Sequence, residues 1–205
     1  MAVSLDGRIA SQPGESDQTR RSLGFTNADD REHLKGLLVQ ADAVIVGASS
    51  LVASGGAWEL TNDRGVLPLW AVLTNSGLPA GTRFLQQERV PRWLVSKTQL
   101  PGFKPSPTLT NIIYDGASPA SVLAAALATA GAERVLLFGG SEVNRVFYQE
   151  GLVDELILTL CPLLVASETA IPLVKPPLIN TVRFTLLASQ VKGSLVFLTY
   201  KVQKA

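Results

Sequence analysis

This sequence predicts an α/β fold, a mostly parallel sheet flanked by helices with an antiparallel hairpin at its C-terminus, on three observations. Ala43-Val-Ile-Val46, Leu69 to Leu73, Trp93-Leu-Val95, Ile112-Ile-Tyr114 and Arg134-Val-Leu-Leu-Phe138 are short apolar runs bounded by Gly, Pro, Asn or Asp, the signature of buried strands. Helical patterns alternate with several of them, the order expected of a parallel sheet covered on both faces. The C-terminal end breaks that order: Phe184 to Gln190 and Ser194 to Val202 are parted only by Lys192-Gly193, so they pair as a hairpin.

In chain order, Met1 to Ala10 begins as a strand and turns at Asp6-Gly7. Ser11 to Gly24 is polar, carries Pro13-Gly14 and reads as a loop. Thr26-Asn-Ala-Asp-Asp-Arg starts a helix with a side-chain cap and an acidic first turn, and Leu34, Leu37, Leu38 and Ala41 supply its apolar face to an end near Gln40. After the strand Ala43 to Val46 comes Gly47, and then Ala48 to Gly65, a glycine- and serine-bearing segment around Trp58. A segment of that length inside a domain reads as a binding loop. Trp58 and Glu59 either close over a ligand or pin the loop. Pro101 to Pro107 is a stiff surface connection. Ser118-Pro119 opens an alanine-rich crossover helix with Val122, Leu123, Ala126 and Leu127 on one face and Gly131 at its end.

The stretch from Arg134 onward is the most informative. A strand empties through Gly139-Gly140 into the polar Ser141-Glu-Val-Asn-Arg145, where Val143, Val146 and Phe147 mark a helix that stops at Gly151; Glu155 to Val165 is the next strand. Glycines at a helix start leave backbone N–H groups bare at the positive end of the helix dipole, which is where such sheets hold phosphates.

Composition narrows the function. At 205 residues, with 46% hydrophobic and 17% charged, the chain fits one domain, residues 1–205, with a buried core. The net charge of +1 and the absence of like-charge blocks argue against nucleic acid and membrane surfaces as partners. Cys161 is the one cysteine and reads as a small buried hydrophobe; His33 is the one histidine and reads as part of a solvated helix face. Neither supports a metal site, and none is expected. With no long apolar span and no leader-like N-terminus, a cytoplasmic location is expected.

Ala2-Val-Ser-Leu-Asp-Gly-Arg-Ile-Ala10, Ala41-Asp-Ala-Val-Ile-Val-Gly47, and Phe138-Gly-Gly140 leading to Glu150-Gly-Leu-Val-Asp-Glu155 together resemble one family over essentially the whole chain. It is the pyrimidine reductase domain of the bifunctional riboflavin-biosynthesis deaminase/reductase, of dihydrofolate-reductase-like fold. The resemblance implies hydride transfer from NADPH to the ribosylamine group of a phosphorylated aminopyrimidine, a small-molecule substrate, and a homodimer. The companion zinc deaminase is absent, since the chain has no His-x-Glu and no paired cysteines.

Matched position by position, the resemblance implies cofactor contacts at Ala2, Asp6, Gly7, Ser49, Ser50, Asn75 and the run Gly139, Gly140, Ser141, Glu142, Val143 and Asn144. Asp6 is also the candidate acid, with a turn role as the alternative. On the substrate side, the family's arginine near the end of the first helix falls at Leu38, its glutamate before the glycine pair at Phe138, and its Asp-Asp-Pro loop at Ser54-Gly55-Gly56; Ser16 keeps its type. Ser16, Leu38 and Phe138 are the substrate-side positions that the resemblance implies, and Trp58 joins them as the aromatic of the long loop. Losing the arginine removes a charge-assisted contact of about 1.5–3 kcal/mol, so the acceptor is expected to have diverged. Between Asp17 and Thr26 the chain is longer than the family pattern, which leaves Arg20 or Arg21 free to replace the cation. Arg83, Arg92 and Lys97 are candidates for a 2′-phosphate. The expected function is an NADPH-dependent reductase acting on a carbonyl or imine carbon; the alternative is a non-catalytic protein binding a dinucleotide or a pterin-like ligand.

Overall fold

The computed structural model describes residues 1–204. In chain order they form β1 (Ala2–Val3), β2 (Arg8–Ala10), α1 (Asp17–Ser22), α2 (Ala28–Gln40), β3 (Ala43–Gly47), α3 (Ala48–Ser54), β4 (Leu69–Leu73), α4 (Arg83–Gln86), β5 (Arg92–Ser96) and β6 (Leu109–Ile113). There follow α5 (Pro119–Thr129), β7 (Val135–Gly139), α6 (Ser141–Gln149), β8 (Glu155–Leu160), β9 (Ile171–Pro172), β10 (Phe184–Lys192) and β11 (Leu195–Val202).

Five strands lie parallel in the order β6-β5-β4-β3-β7. Alternate side chains of a strand point to opposite faces, and here both faces are apolar. Val44, Val46, Trp70, Val72 and Leu94 point one way and pack with Leu38 of α2 and Leu51 of α3. Ala43, Ile45, Ala71 and Val95 point the other way, onto Leu123 and Leu127 of α5 and Val143 and Phe147 of α6. Helices thus cover both faces, as the near-continuous apolar strands predict.

The C-terminal hairpin forms as expected, with β10 antiparallel to β11. It does not border the parallel sheet. It belongs to a second sheet of order β1-β8-β11-β10, in which β1 runs parallel and β11 antiparallel to β8. Phe184 joins the two layers, stacking edge-on to Tyr148 of α6 and Tyr200 of β11 at 6.1 Å each.

Local chemistry explains the helix starts. The Asn27 side chain accepts from the Asp30 N–H at 3.0 Å, and the Ser118 hydroxyl accepts from the Ser121 N–H with Pro119 in the first turn. Three boundaries differ from expectation. Ser11 to Gly24 contains a helix, α1, because Ser16 caps it by accepting from the Thr19 N–H at 3.1 Å. The segment from Ala48 begins as a helix, α3, whose Leu51 is buried in the core; the loop proper starts at Gly55. The strand after α6 stops at Leu160, ahead of Pro162, which has no N–H for a ladder. No helix among the described residues is long and apolar enough to cross a membrane.

Candidate active site

β3 and β7 are neighbours, yet the chain leaves β3 toward β4 on one side and reaches β7 on the other. Ligands of open α/β sheets settle at such a reversal, beyond the carboxyl ends of the strands. Both strands run straight into helices there: β3 through Gly47 into α3, and β7 through Gly139-Gly140 into α6. Neither helix start has a side-chain cap among the described residues, so first-turn amides and two positive dipole ends face one cleft.

The two starts approach closely because of a glycine. Gly140 has φ +87°, and a Cβ there would stand 2.9 Å from Ser50 Oγ. Gly139 is likewise at φ +89°, and a Cβ on it would come within 3.1 Å of Asn144 Oδ1. The pairing register with β3 also slips between Leu137 and Gly139, leaving Phe138 as an extra residue at the cleft wall, where its ring meets Trp70 edge-on at 6.2 Å.

The cleft has a volume of about 1570 Å³. A pocket for a single small ligand measures roughly 300–1,000 Å³, so there is room for a cofactor and a second molecule together. Ala2, Ser49, Ser50, Asn75, Gly140, Ser141, Glu142 and Val143 line it, as do Ser16, Trp58 and Phe138. The Ser141 hydroxyl is buried and has no hydrogen-bond partner among the described residues. Uncompensated burial of a hydroxyl costs about 1–3 kcal/mol, which a ligand oxygen or N–H relieves. A diphosphate fits this end: glycine clearance, free amides and an orphaned hydroxyl coincide. Glu142 at the same turn is offset by Arg145 Nε at 3.2 Å and Lys175 Nζ at 3.1 Å, and the hydrogen bond from Arg145 leads in holding its carboxyl below the usual range. Asn75 accepts from the Tyr114 hydroxyl at 3.3 Å.

Other expected residues lie elsewhere. Asp6 and Gly7 are not cleft-lining. The Asp6 carboxylate accepts from Ser4 Oγ at 2.6 Å and from the N–H groups of Ala166 and Val165 at 2.9 and 3.1 Å. The Ser4 bond leads in holding it far below the usual carboxylate range. It braces a turn, and the role of acid does not fit this position. Gly139 and Asn144 stand behind the cleft lining; the Asn144 side-chain amide donates to Leu173 O at 2.7 Å and fastens α6 to the strap before β10. Leu38 is in the core and faces away, because α2 turns Leu34 and Leu37 to the cleft instead.

The candidate 2′-phosphate cations also move out. Arg92 is buried and spends its guanidinium on the carbonyls of Val90, Phe84 and Leu85 and on Thr108 Oγ1; Arg83 and Lys97 do not line the cleft.

Several cleft residues escape a reading of the sequence. His33 is not on a solvated face: its ring packs 4.7 Å from Phe197, its Nε2 is buried without a partner among the described residues, and burial lowers its pKa. Asp30 is buried at the cleft and receives the Thr26 hydroxyl at 2.7 Å. The Thr26 to Asp30 spacing, one helical turn, was the available signal. Glu15 lines the cleft too, as do Arg20 and Arg21, the two residues expected to be free to replace the lost cation. Cys161 is buried as expected, its thiol pushed up to about 11 by burial, which leaves it inert. Among the described residues no group of three His, Cys, Asp or Glu could hold a metal ion.

Known structures share this fold. The bifunctional diaminohydroxyphosphoribosylaminopyrimidine deaminase/5-amino-6-(5-phosphoribosylamino)uracil reductase of Thermotoga maritima superposes with a TM-score of 0.74 at 17% identity, covering 97% of this chain and 54% of its own. The chain thus spans about half the length of that protein. A pyrimidine reductase-like protein of Corynebacterium diphtheriae gives 0.79 at 19% identity, covering 99% of this chain and 90% of its own. The riboflavin biosynthesis reductase Rib7 of Saccharomyces cerevisiae gives 0.72 at 15%, covering 98% and 87%. At these identities the likeness is one of fold, the dihydrofolate-reductase-like one. No curated protein matches the chain at a significant level. Residues 1–198 match the RibD C-terminal domain, and the chain belongs to that family.

Proposed function

We propose that this protein is an NADPH-dependent reductase whose acceptor resembles a 5-amino-6-(5-phosphoribosylamino)uracil, the compound in the name of the Thermotoga relative. The observation that carries the reading is the pair of uncapped helix starts at the β3/β7 reversal, with Gly140 clear of Ser50 and the Ser141 hydroxyl awaiting a partner. Membership of the RibD C-terminal domain family supports it.

NADPH held there would supply a hydride from its nicotinamide. The chain supplies position. Ser141, Glu142 and Val143 offer first-turn amides to the diphosphate, with the Ser49 and Ser50 hydroxyls opposite; Ala2 and Asn75 line the same cleft as candidate cofactor contacts. Phe138 and Trp58 make apolar walls that keep water from the reacting carbon, where fixed dipoles act more strongly. Arg31 lies over the Trp58 ring at 5.0 Å and holds that wall in place.

A second copy of the chain is the proposed partner. β10 is an edge strand with Leu186, Leu187 and Val191 exposed, an apolar edge of the kind that pairing covers. The cytoplasm is the proposed site of action, where the lone Cys161 stays reduced.

Two measurements test the function. NADPH at 100 times its dissociation constant stabilises a one-site protein by about 2.7 kcal/mol, so the melting temperature rises with added cofactor. NADPH oxidation with the aminopyrimidine, or with a related imine or carbonyl compound, then reports turnover. A shift with no oxidation of NADPH by any acceptor identifies a binding protein instead.

A further inference from the structure

We propose that Glu15 and Arg20 form the acceptor-recognition end of the cleft, Arg20 gripping an anionic group of the substrate and Glu15 accepting a hydrogen bond from an N–H or O–H beside it. The inference rests on the reductase reading and adds the residues that select the acceptor.

Arg20 sits in α1, the helix inserted where a loop is expected, and lines the cleft half-buried. Its Nε is buried, and among the described residues its guanidinium makes no hydrogen bond and no ion pair. Its one close neighbour of note is the Phe25 ring, 5.6 Å from the guanidinium carbon, which orients the plane without neutralising it. Of the other arginines at the cleft, Arg145 is engaged with Glu142 and Gln149 and Arg31 with Trp58, while Arg21 is exposed to solvent. The Asp30 carboxylate, also at the cleft, accepts from the Thr26 hydroxyl and makes no ion pair with Arg20 among the described residues. A half-buried guanidinium without a paired anion loses solvation that one aromatic face only partly returns, and its planar fork suits a phosphate or a carboxylate.

Glu15 is 6% exposed. One oxygen, Oε2, accepts from the Ser11 N–H at 2.8 Å and from the Ser11 hydroxyl; the other, Oε1, is buried and unpartnered among the described residues. Ser11 holds the carboxylate in place, so Oε1 is a fixed acceptor at the cleft wall. Buried polar groups in native proteins are nearly always paired, so an orphan acceptor and an orphan donor on the same cleft, five residues apart in the chain, are the groups that a ligand there would satisfy. Leu38 lies in the core and cannot do this.

The test is calorimetric titration of the NADPH-saturated chain with ribose 5-phosphate, ribonate and ribose. Wild type is expected to prefer one or both anionic probes to ribose, and the first two arms separate phosphate from carboxylate. Arg20→Gln should weaken the preferred anionic probe by about 10- to 100-fold and leave ribose unchanged. Arg20→Lys should keep part of the preference. Glu15→Gln should weaken all three probes by about tenfold. No anionic preference in wild type, or retention of it in Arg20→Gln, overturns the role of Arg20. Wild-type affinities in Glu15→Gln overturn the role of Glu15. The NADPH-induced rise in melting temperature, measured on every variant, reports whether the cofactor end is intact. If wild type lacks that rise while Arg20→Gln still abolishes an anionic preference, the reductase reading falls and the recognition pair stands.

Discussion

At Gly140 the backbone takes a positive φ and passes within a Cβ's reach of Ser50, so one hydrogen atom in place of a methyl group decides whether two helix starts can share a ligand. Gly140→Ala is expected to cost about 1–3 kcal/mol of backbone strain and to abolish the NADPH-induced rise in melting temperature. Thermal melts with and without cofactor check both. Asp6 makes the opposite point. Its carboxylate is spent on Ser4, Val165 and Ala166, so Asp6→Asn should lower the melting temperature while leaving NADPH binding intact. The folded-state pKa is depressed, chiefly by the Ser4 hydrogen bond. The stability that Asp6 contributes is therefore fully present above its unfolded pKa, about 3.9, and fades as the pH falls below that. Melts from pH 7 down to pH 3 should show the gap between wild type and Asp6→Asn closing only at the acid end.

At the scale of elements, the loop after α3 is fastened rather than free. The Gln87 side chain, itself buried, accepts from the Ala57 N–H and donates to the Ala57 carbonyl, both at 2.9 Å, and reaches Glu59 Oε1 at 2.8 Å. This favours the pinning role for Trp58 over that of a lid. Gln87→Leu strands a buried N–H and a buried carbonyl at about 1–3 kcal/mol for each group, and it should raise the KM for the acceptor more than it lowers kcat. A denaturant melt and steady-state kinetics check the two effects. A loop that closed as a lid would instead lose kcat with little change in stability. The helix caps were legible as sequence because they are local: Asn27 and Ser118 act on amides three residues away. α1 is hidden from such a reading because its Ser16 cap follows a stretch whose proline and glycine dominate the composition.

At the scale of the whole molecule, two sheets share a set of helices and leave an apolar edge at β10. If that edge pairs two copies, replacing Leu187 and Val191 together by lysine should halve the mass measured by light scattering without lowering NADPH affinity. A mass that stays the same places the interface elsewhere.

The five parallel strands, the helices α2, α5 and α6, the glycine pair at the end of β7 and the caps at Asn27 and Ser118 were determined by the sequence alone, because each rests on residues close together in the chain. Apolar runs report burial, and glycine reports backbone that a side chain would block. Which of the polar residues face the cleft was decided only by the tertiary structure. Leu38 and Leu37 are adjacent in sequence, yet Leu38 enters the core while Leu37 lines the cleft, Asp6 is claimed by residues some 160 positions later, and Arg20 meets the cleft from a helix that the sequence hides, with Glu15 just ahead of that helix. Such placements depend on how elements pack, and packing is set by contacts between parts of the chain that no local pattern connects.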